Sequence, residues 1–299
     1  METTKSQRAY IIDLNSRRSK RALLAALAVS VCTFIAVISI VMSGSLGNTT
    51  FRYFTILSNL LSAVGAMFMI PYAAEGIRRK RFTLPRWVSL FQYAGAVSVF
   101  ITMFCACTII TITFGVEFAF EGAHLWLHLI VPVLAIVLFL AVEDGHYITK
   151  KETVIAQIPF WSYVAVYAIM VIGIGEERGG WADMYEATSR LPIWLVLLLL
   201  GVIGYGAAVF LRILHNRAVT RGINRLTSRW DPKLSDVELK IEALGLGRYM
   251  AQHLDESEIV IPVDILRLMS DRCGVSLDEL SRAYAKGVVQ GLNEDKRES

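Results

Sequence analysis

The sequence predicts an all-α polytopic membrane protein: six transmembrane helices followed by a cytoplasmic helical tail. Three observations carry this expectation. Of 299 residues, 55% are hydrophobic and only 19% are charged, against about 45–50% and about 25% in soluble domains. Mean hydropathy is +0.50. The apolar residues also gather into six runs, each long enough for the roughly 20 helical residues that cross a bilayer. A disordered chain, a collagen-like chain and an ordinary soluble enzyme are excluded.

The runs are Leu23–Met42, Tyr53–Ala73, Trp87–Phe114, His124–Val142, Ile155–Ile174 and Leu191–Leu214. The first follows a basic stretch and lacks a cleavage-site pattern, so it is expected to remain as a span. The third is long enough to tilt or kink. Lys and Arg set the orientation. They crowd the N-terminal arm (Lys5, Arg8, Arg17, Arg18, Lys20, Arg21), the second connection (Arg78, Arg79, Lys80, Arg81, Arg86), the fourth (Lys150, Lys151) and the junction after the last run. Six spans place all four on one side. The expected domains are a cytoplasmic arm over 1–22, a membrane domain over 23–214 and a cytoplasmic tail over 215–299. Both termini are expected in the cytoplasm and the protein in the cell membrane.

The tail is dense in charge. Arg217, Arg221, Arg225 and Arg229 recur every four residues, so one helical face could meet anionic headgroups at about 1 kcal/mol per cation. A solvated helix is the plainer alternative. Asp236–Leu254 and Val263–Leu292 read as amphipathic helices that could also bind a cytoplasmic protein. Cys273-Gly274-Val275 followed by Ser276 and Glu279 resembles the turn and capping box of a helix-turn-helix. Its second helix opens on Asp278 and Glu279 and holds only Arg282 and Lys286, too few cations for DNA. Nucleic acid is therefore not expected as a partner. The four cysteines, Cys32, Cys105, Cys107 and Cys273, form neither a zinc pattern nor a disulfide framework.

Polar residues inside a span are costly and tend to face the bundle interior. Thr55, Ser58, Asn59 and Ser62 share one helical stripe of the second run. They could serve as helix–helix contacts or line a site. The fourth run holds His124 and His128 one turn apart, with Pro132 four residues on. Pro132 is expected to free the His128 carbonyl and bend the helix. Two His at this spacing could bind a metal, but the span offers no carboxylate or thiol to complete a site. No metal or cofactor is expected. Both runs enter from the outside, and Thr55 and His128 lie at matching depth, roughly 5–7 Å below the interface at 1.5 Å per residue. A hydroxyl and an imidazole so placed could act as nucleophile and base. Arg52 and His124 would stand just above them, and Asn59 or Arg52 could stabilise an oxyanion.

Phe51-Arg-Tyr-Phe-Thr-Ile-Leu-Ser-Asn and His128-Leu-Ile-Val-Pro-Val resemble the signatures of bacterial six-span integral membrane proteins. These are distantly related to the androgen-induced and androgen-dependent membrane proteins of animals. The resemblance covers roughly residues 23–214 and not the tail. Some animal members hydrolyse fatty acid esters of hydroxy fatty acids with a threonine of the second span and a histidine of the fourth. The resemblance thus implies Thr55 as nucleophile, His128 as general base and a membrane lipid ester as substrate. The last outer loop keeps Trp181 and Tyr185 but departs from the pattern in lacking a Tyr-Pro-Phe run. A membrane scaffold or sensor, and a small-molecule transporter, are the alternatives. Against transport, the two halves show no repeat and the span centres lack charge.

Overall fold

The computed structural model describes residues 2–44, 47–78, 84–141, 147–186, 192–227, 236–253, 266–267, 269–270 and 274–298. Among the described residues there are helices and turns but no strand. The chain divides into two compact units, residues 11–219, and residues 1–10 together with 220–299.

Six helices of the first unit are long and apolar enough to cross a membrane: α1 (Arg17–Ser43), α2 (Phe54–Arg78), α3 (Arg86–Phe114), α5 (Ala123–Ala141), α6 (Lys150–Ile174) and α7 (Ile193–Val219). A short helix, α4 (Val116–Phe120), lies between α3 and α5. The spans are apolar on their outward faces too, where Ile35, Val137 and Val202 are exposed. A helix that is hydrophobic all round is a membrane span when no protein covers it. The protein is a multi-pass integral membrane protein.

Small residues let the spans approach closely, as van der Waals packing in lipid requires. Ala22, Ala26 and Val29 of α1 pack with Ala66, Met69 and Ala73 of α2, with Val88 of α3, and with Ala135 and Leu138 of α5. A Cβ on Gly95 would stand 3.0 Å from Ser62 Cα, so α2 and α3 nearly touch there. Tyr93 and Val97 of α3 form a second core with Phe160 of α6 and Ala208 and Leu211 of α7. The Tyr93 hydroxyl donates to the Ala208 carbonyl at 2.6 Å. At one end Arg86 pairs with Glu152 and donates to the Tyr147 carbonyl at 2.7 Å. Thr149 and Glu152 form a capping box that starts α6.

The long third span carries a π-turn at Ala106–Ile110. The Thr111 hydroxyl there donates to the Ala106 carbonyl at 2.7 Å.

In the second unit, α8 (Asp236–His253) and α9 (Leu277–Glu298) bury Leu239, Ala243, Leu280 and Tyr284 around Leu266, Met269 and Val275. Gly274, at φ 74°, makes the turn and donates to the Ser270 carbonyl. Glu279 and Leu280 then bond back to Ser276, which opens α9. Cys273 lies outside the described residues. Lys240 and Glu279 pair across the two helices at 2.8 Å.

Candidate active site

Thr55 sits in the first turn of α2, half-buried, where α2 faces α5. Its Oγ1 stands 3.4 Å from His128 Nε2, at the long end of hydrogen-bond reach, as such contacts often are before a substrate tightens them. His128 is only 4% exposed. Its Nδ1 lies 2.6 Å from the Ala119 carbonyl oxygen. A carbonyl can only accept, so Nδ1 carries the hydrogen and Nε2 turns a lone pair toward Thr55.

Ala119 was not legible as a site residue. It lies near the end of α4, where carbonyls run out of helical donors. Gly115, at φ 92°, and Gly122, at φ 55°, make the turns that fold α4 back over α5. The backbone thus supplies the orienting acceptor that the span lacks as a carboxylate.

Pro132 acts through a neighbouring carbonyl. Trp126–Ile130 is a π-turn, and the Val131 N–H reaches back to the Trp126 carbonyl. Proline has no N–H to offer the next acceptor. The Leu127 carbonyl is left over, and Asn59 Nδ2 donates to it at 2.9 Å. The same nitrogen donates to the Thr55 carbonyl at 2.7 Å. Two carbonyl partners identify this atom as the amide nitrogen. Asn59 therefore ties the turn that carries Thr55 to the turn that carries His128. Both its N–H groups serve that tie, and its Oδ1 is buried without a partner among the described residues.

The other expected residues fall around this pair. The His124 ring stacks on Phe118 at 5.8 Å and lies 5.5 Å from the His128 ring. Arg52 is half-buried with its guanidinium 5.7 Å from the centre of the Trp181 ring. Ser58 bonds to Thr102 of α3 at 2.8 Å, so the polar stripe of α2 serves two neighbours. Among the described residues, His, Cys, Asp and Glu do not gather in threes around a metal-sized space.

The loop between α6 and α7 closes over the start of α2. The Phe54 N–H donates to the Tyr185 hydroxyl at 3.0 Å, capping the helix one residue before Thr55. Tyr163 donates to the Arg52 carbonyl at 2.9 Å and lies 3.5 Å from Tyr185. Tyr167 donates to Asp183 at 2.7 Å. Burial pushes the Tyr185 hydroxyl up to about 12, so it stays neutral at physiological pH.

A cavity of about 300 Å³ opens beside α2 and is lined by Phe54, Leu57, Leu61, Ser98, Tyr163 and Trp181 among others. Neither Thr55 nor His128 lines it.

The fold defines a multi-pass integral membrane protein with a hydroxyl–imidazole pair between two spans. No protein-family model, curated protein or solved structure matches the chain.

Proposed function

We propose that this protein is an intramembrane lipid-ester hydrolase, with Thr55 as nucleophile and His128 as general base. The observation that carries the reading is the oriented pair: Nε2 of His128 is 3.4 Å from the Thr55 hydroxyl while Nδ1 is held by Ala119. A threonine hydroxyl attacks only when a base removes its proton. His128 Nε2 takes that proton as Thr55 Oγ1 bonds to the ester carbonyl carbon. The carbonyl oxygen becomes an oxyanion. As the C–O bond breaks, Nε2–H returns the proton to the departing alcohol. Water, deprotonated by the same Nε2, then attacks the acyl-threonine; as the acid leaves, Nε2–H returns the proton to Thr55 Oγ1.

The Thr55 N–H is second in α2, where no helical acceptor exists for it. It is the donor best placed for the oxyanion. Asn59 holds the geometry rather than the oxyanion, because its donors are committed. The resemblance to the androgen-induced family supports a lipid ester as substrate.

The same reading places the protein in the cell membrane with both termini cytoplasmic and the pair toward the outer leaflet. Arg217 and Arg221 are exposed and suited to anionic headgroups. The side chain of Arg225 and all of Arg229 lie outside the described residues. The tail would add a surface for a cytoplasmic protein. Labelling of the detergent-purified protein by a fluorophosphonate probe tests the activity. Wild type labels and Thr55→Ala does not; equal labelling of both defeats the reading.

A further inference from the structure

We infer that the cavity between α2, α3 and α6 is a separate binding site for a single-chain anionic lipid, its chain in the cavity and its headgroup on Arg52. Phe54, Leu57, Ser58 and Leu61 form one stripe of α2 and line this cavity. Thr55 and Asn59 occupy the adjoining face, turned toward α5. The helix itself thus divides the cavity from the catalytic pair, and the inference stands whether or not the pair is catalytic.

Three features identify the occupant. First, the mouth opens sideways. Leu57 and Val166 are 38% and 47% exposed, and both lie within spans, so their outer surfaces meet lipid rather than water. Second, the interior is an alkyl environment. Leu57, Leu61, Pro159, Val166 and the rings of Phe54 and Trp181 supply most of the wall. At about 300 Å³ the cavity stands at the small end of the roughly 300–1,000 Å³ of ligand pockets, a size that suits one chain better than two. Third, a cation stands beside the wall, although Arg52 does not itself line the cavity. Trp181 belongs to the cavity wall and carries the Arg52 guanidinium over its ring at 5.7 Å. Tyr163, also on the wall, fixes the Arg52 backbone through its carbonyl. No carboxylate among the described residues pairs with Arg52, so the headgroup supplies the anion. Ser98, fully buried on the α3 wall, has a hydroxyl without a partner among the described residues. That hydroxyl would bond a water held beside the chain.

A fatty acid and a lysophosphatidate share this chemistry. The full-length protein in nanodiscs, irradiated with diazirine-bearing probes and mapped by mass spectrometry, separates them. The probes are a fatty acid, a lysophosphatidate, a zwitterionic lysophosphatidylcholine and a diacyl phosphatidylglycerol. The expected result is label on Leu57–Leu61, Ser98 and Pro159–Val166 from one or both single-chain anions, competed by unlabelled oleate or lysophosphatidate. Arg52→Gln should weaken that competition about tenfold. Val166→Trp, at an exposed position that can change without disturbing the core, should block the mouth and remove the label. Ser98→Phe should do the same from inside. Equal labelling by lysophosphatidylcholine overturns the role of Arg52. Stronger labelling by the diacyl lipid overturns the single chain. Label spread over Val137 and Val202 without competition overturns the site.

Discussion

The Thr55 hydroxyl and the Nε2 nitrogen of His128 face each other at 3.4 Å although 73 residues separate them in the chain. The contact depends on two main-chain carbonyls. Ala119 orients the imidazole. Leu127, stripped of its helical donor, receives Asn59 and so holds α2 against α5. The imidazole is thereby given a defined tautomer by main-chain groups alone.

Loss of the hydroxyl should abolish activity at little cost in stability. Thr55 is half-buried and its hydroxyl contact is long, so Thr55→Ala removes few contacts. Probe labelling and ester turnover should fall by at least 10²–10⁴-fold, roughly the range attributed to positioned proton transfer, while melting temperature holds. Thr55→Ser should retain part of the activity. His128 differs because it is buried and bonded. His128→Ala should cost about 1–3 kcal/mol by leaving the Ala119 carbonyl unpaired. His128→Asn keeps a donor near Nδ1 while deleting Nε2, and should be inactive yet better folded. Thermal melts of the two variants alongside turnover check this.

Asn59 should respond in a distinctive order. Its amide nitrogen meets two carbonyl oxygens. Asn59→Ala leaves both without this donor and should cost about 1–3 kcal/mol. Asn59→Asp sets a carboxylate against them and should be worse than alanine. If the aspartate variant equals wild type in melting temperature, the assigned donor is wrong.

Pro132→Ala restores an N–H one turn beyond the site. The Leu127 carbonyl would regain a donor in the helix and compete with Asn59 for it. That bond is one more five-residue step, so we expect the π-turn to lengthen, Asn59 to be displaced, His128 to shift from Thr55 and probe labelling to drop several-fold, with the protein still folded. Labelling and melting temperature measured on the same preparation separate this from unfolding.

The spans were legible because roughly 20-residue apolar runs have few other fates. The stripe of Thr55, Ser58, Asn59 and Ser62 was legible by its period. Its division was not, since Ser58 turns to Thr102 of α3 while Asn59 turns to Leu127 of α5. Sequence spacing reports a face of a helix, not the neighbours that share it. Pro132 pointed to a freed carbonyl at His128, but Asn59 uses the one at Leu127, because Val131 bonds to Trp126 in a five-residue step. The Ala119 carbonyl had no signal, since any residue carries one. Tyr185 carried no sequence signal for its role, which is to cap α2 at Phe54.

The cations predict a topology that reporters can test. A reporter after Ser299 or near Lys80 should read cytoplasmic, and one near Gly47 or Gly179 external. A cytoplasmic reading at Gly179 would remove the sixth crossing and the shared side of the termini.

The tail should unfold without the spans when its own helix crossing is disturbed. Gly247 of α8 and Gly287 of α9 lie where a Cβ would collide with the main chain opposite, at the Tyr284 and Leu244 carbonyls. A backbone carbonyl cannot swing aside as a flexible side chain can. Gly287→Ala must therefore push the helices apart, at a cost of about 1–3 kcal/mol, and loosen the core of Leu239, Leu280 and Tyr284. Glycine-to-alanine inside an isolated helix would instead stabilise it by about 1 kcal/mol, so the sign of the effect separates packing from propensity. In the full-length protein, hydrogen exchange at the α8 and α9 amides should accelerate about tenfold or more, since 1.4 kcal/mol is one decade. Exchange in α2, α3 and α5 should stay unchanged, and truncation after Arg229 should leave those spans folded in mild detergent. Slower exchange in Gly287→Ala would refute the tight crossing. Faster exchange in α3 or α5, or aggregation of the truncated chain, would refute the independence of the two units.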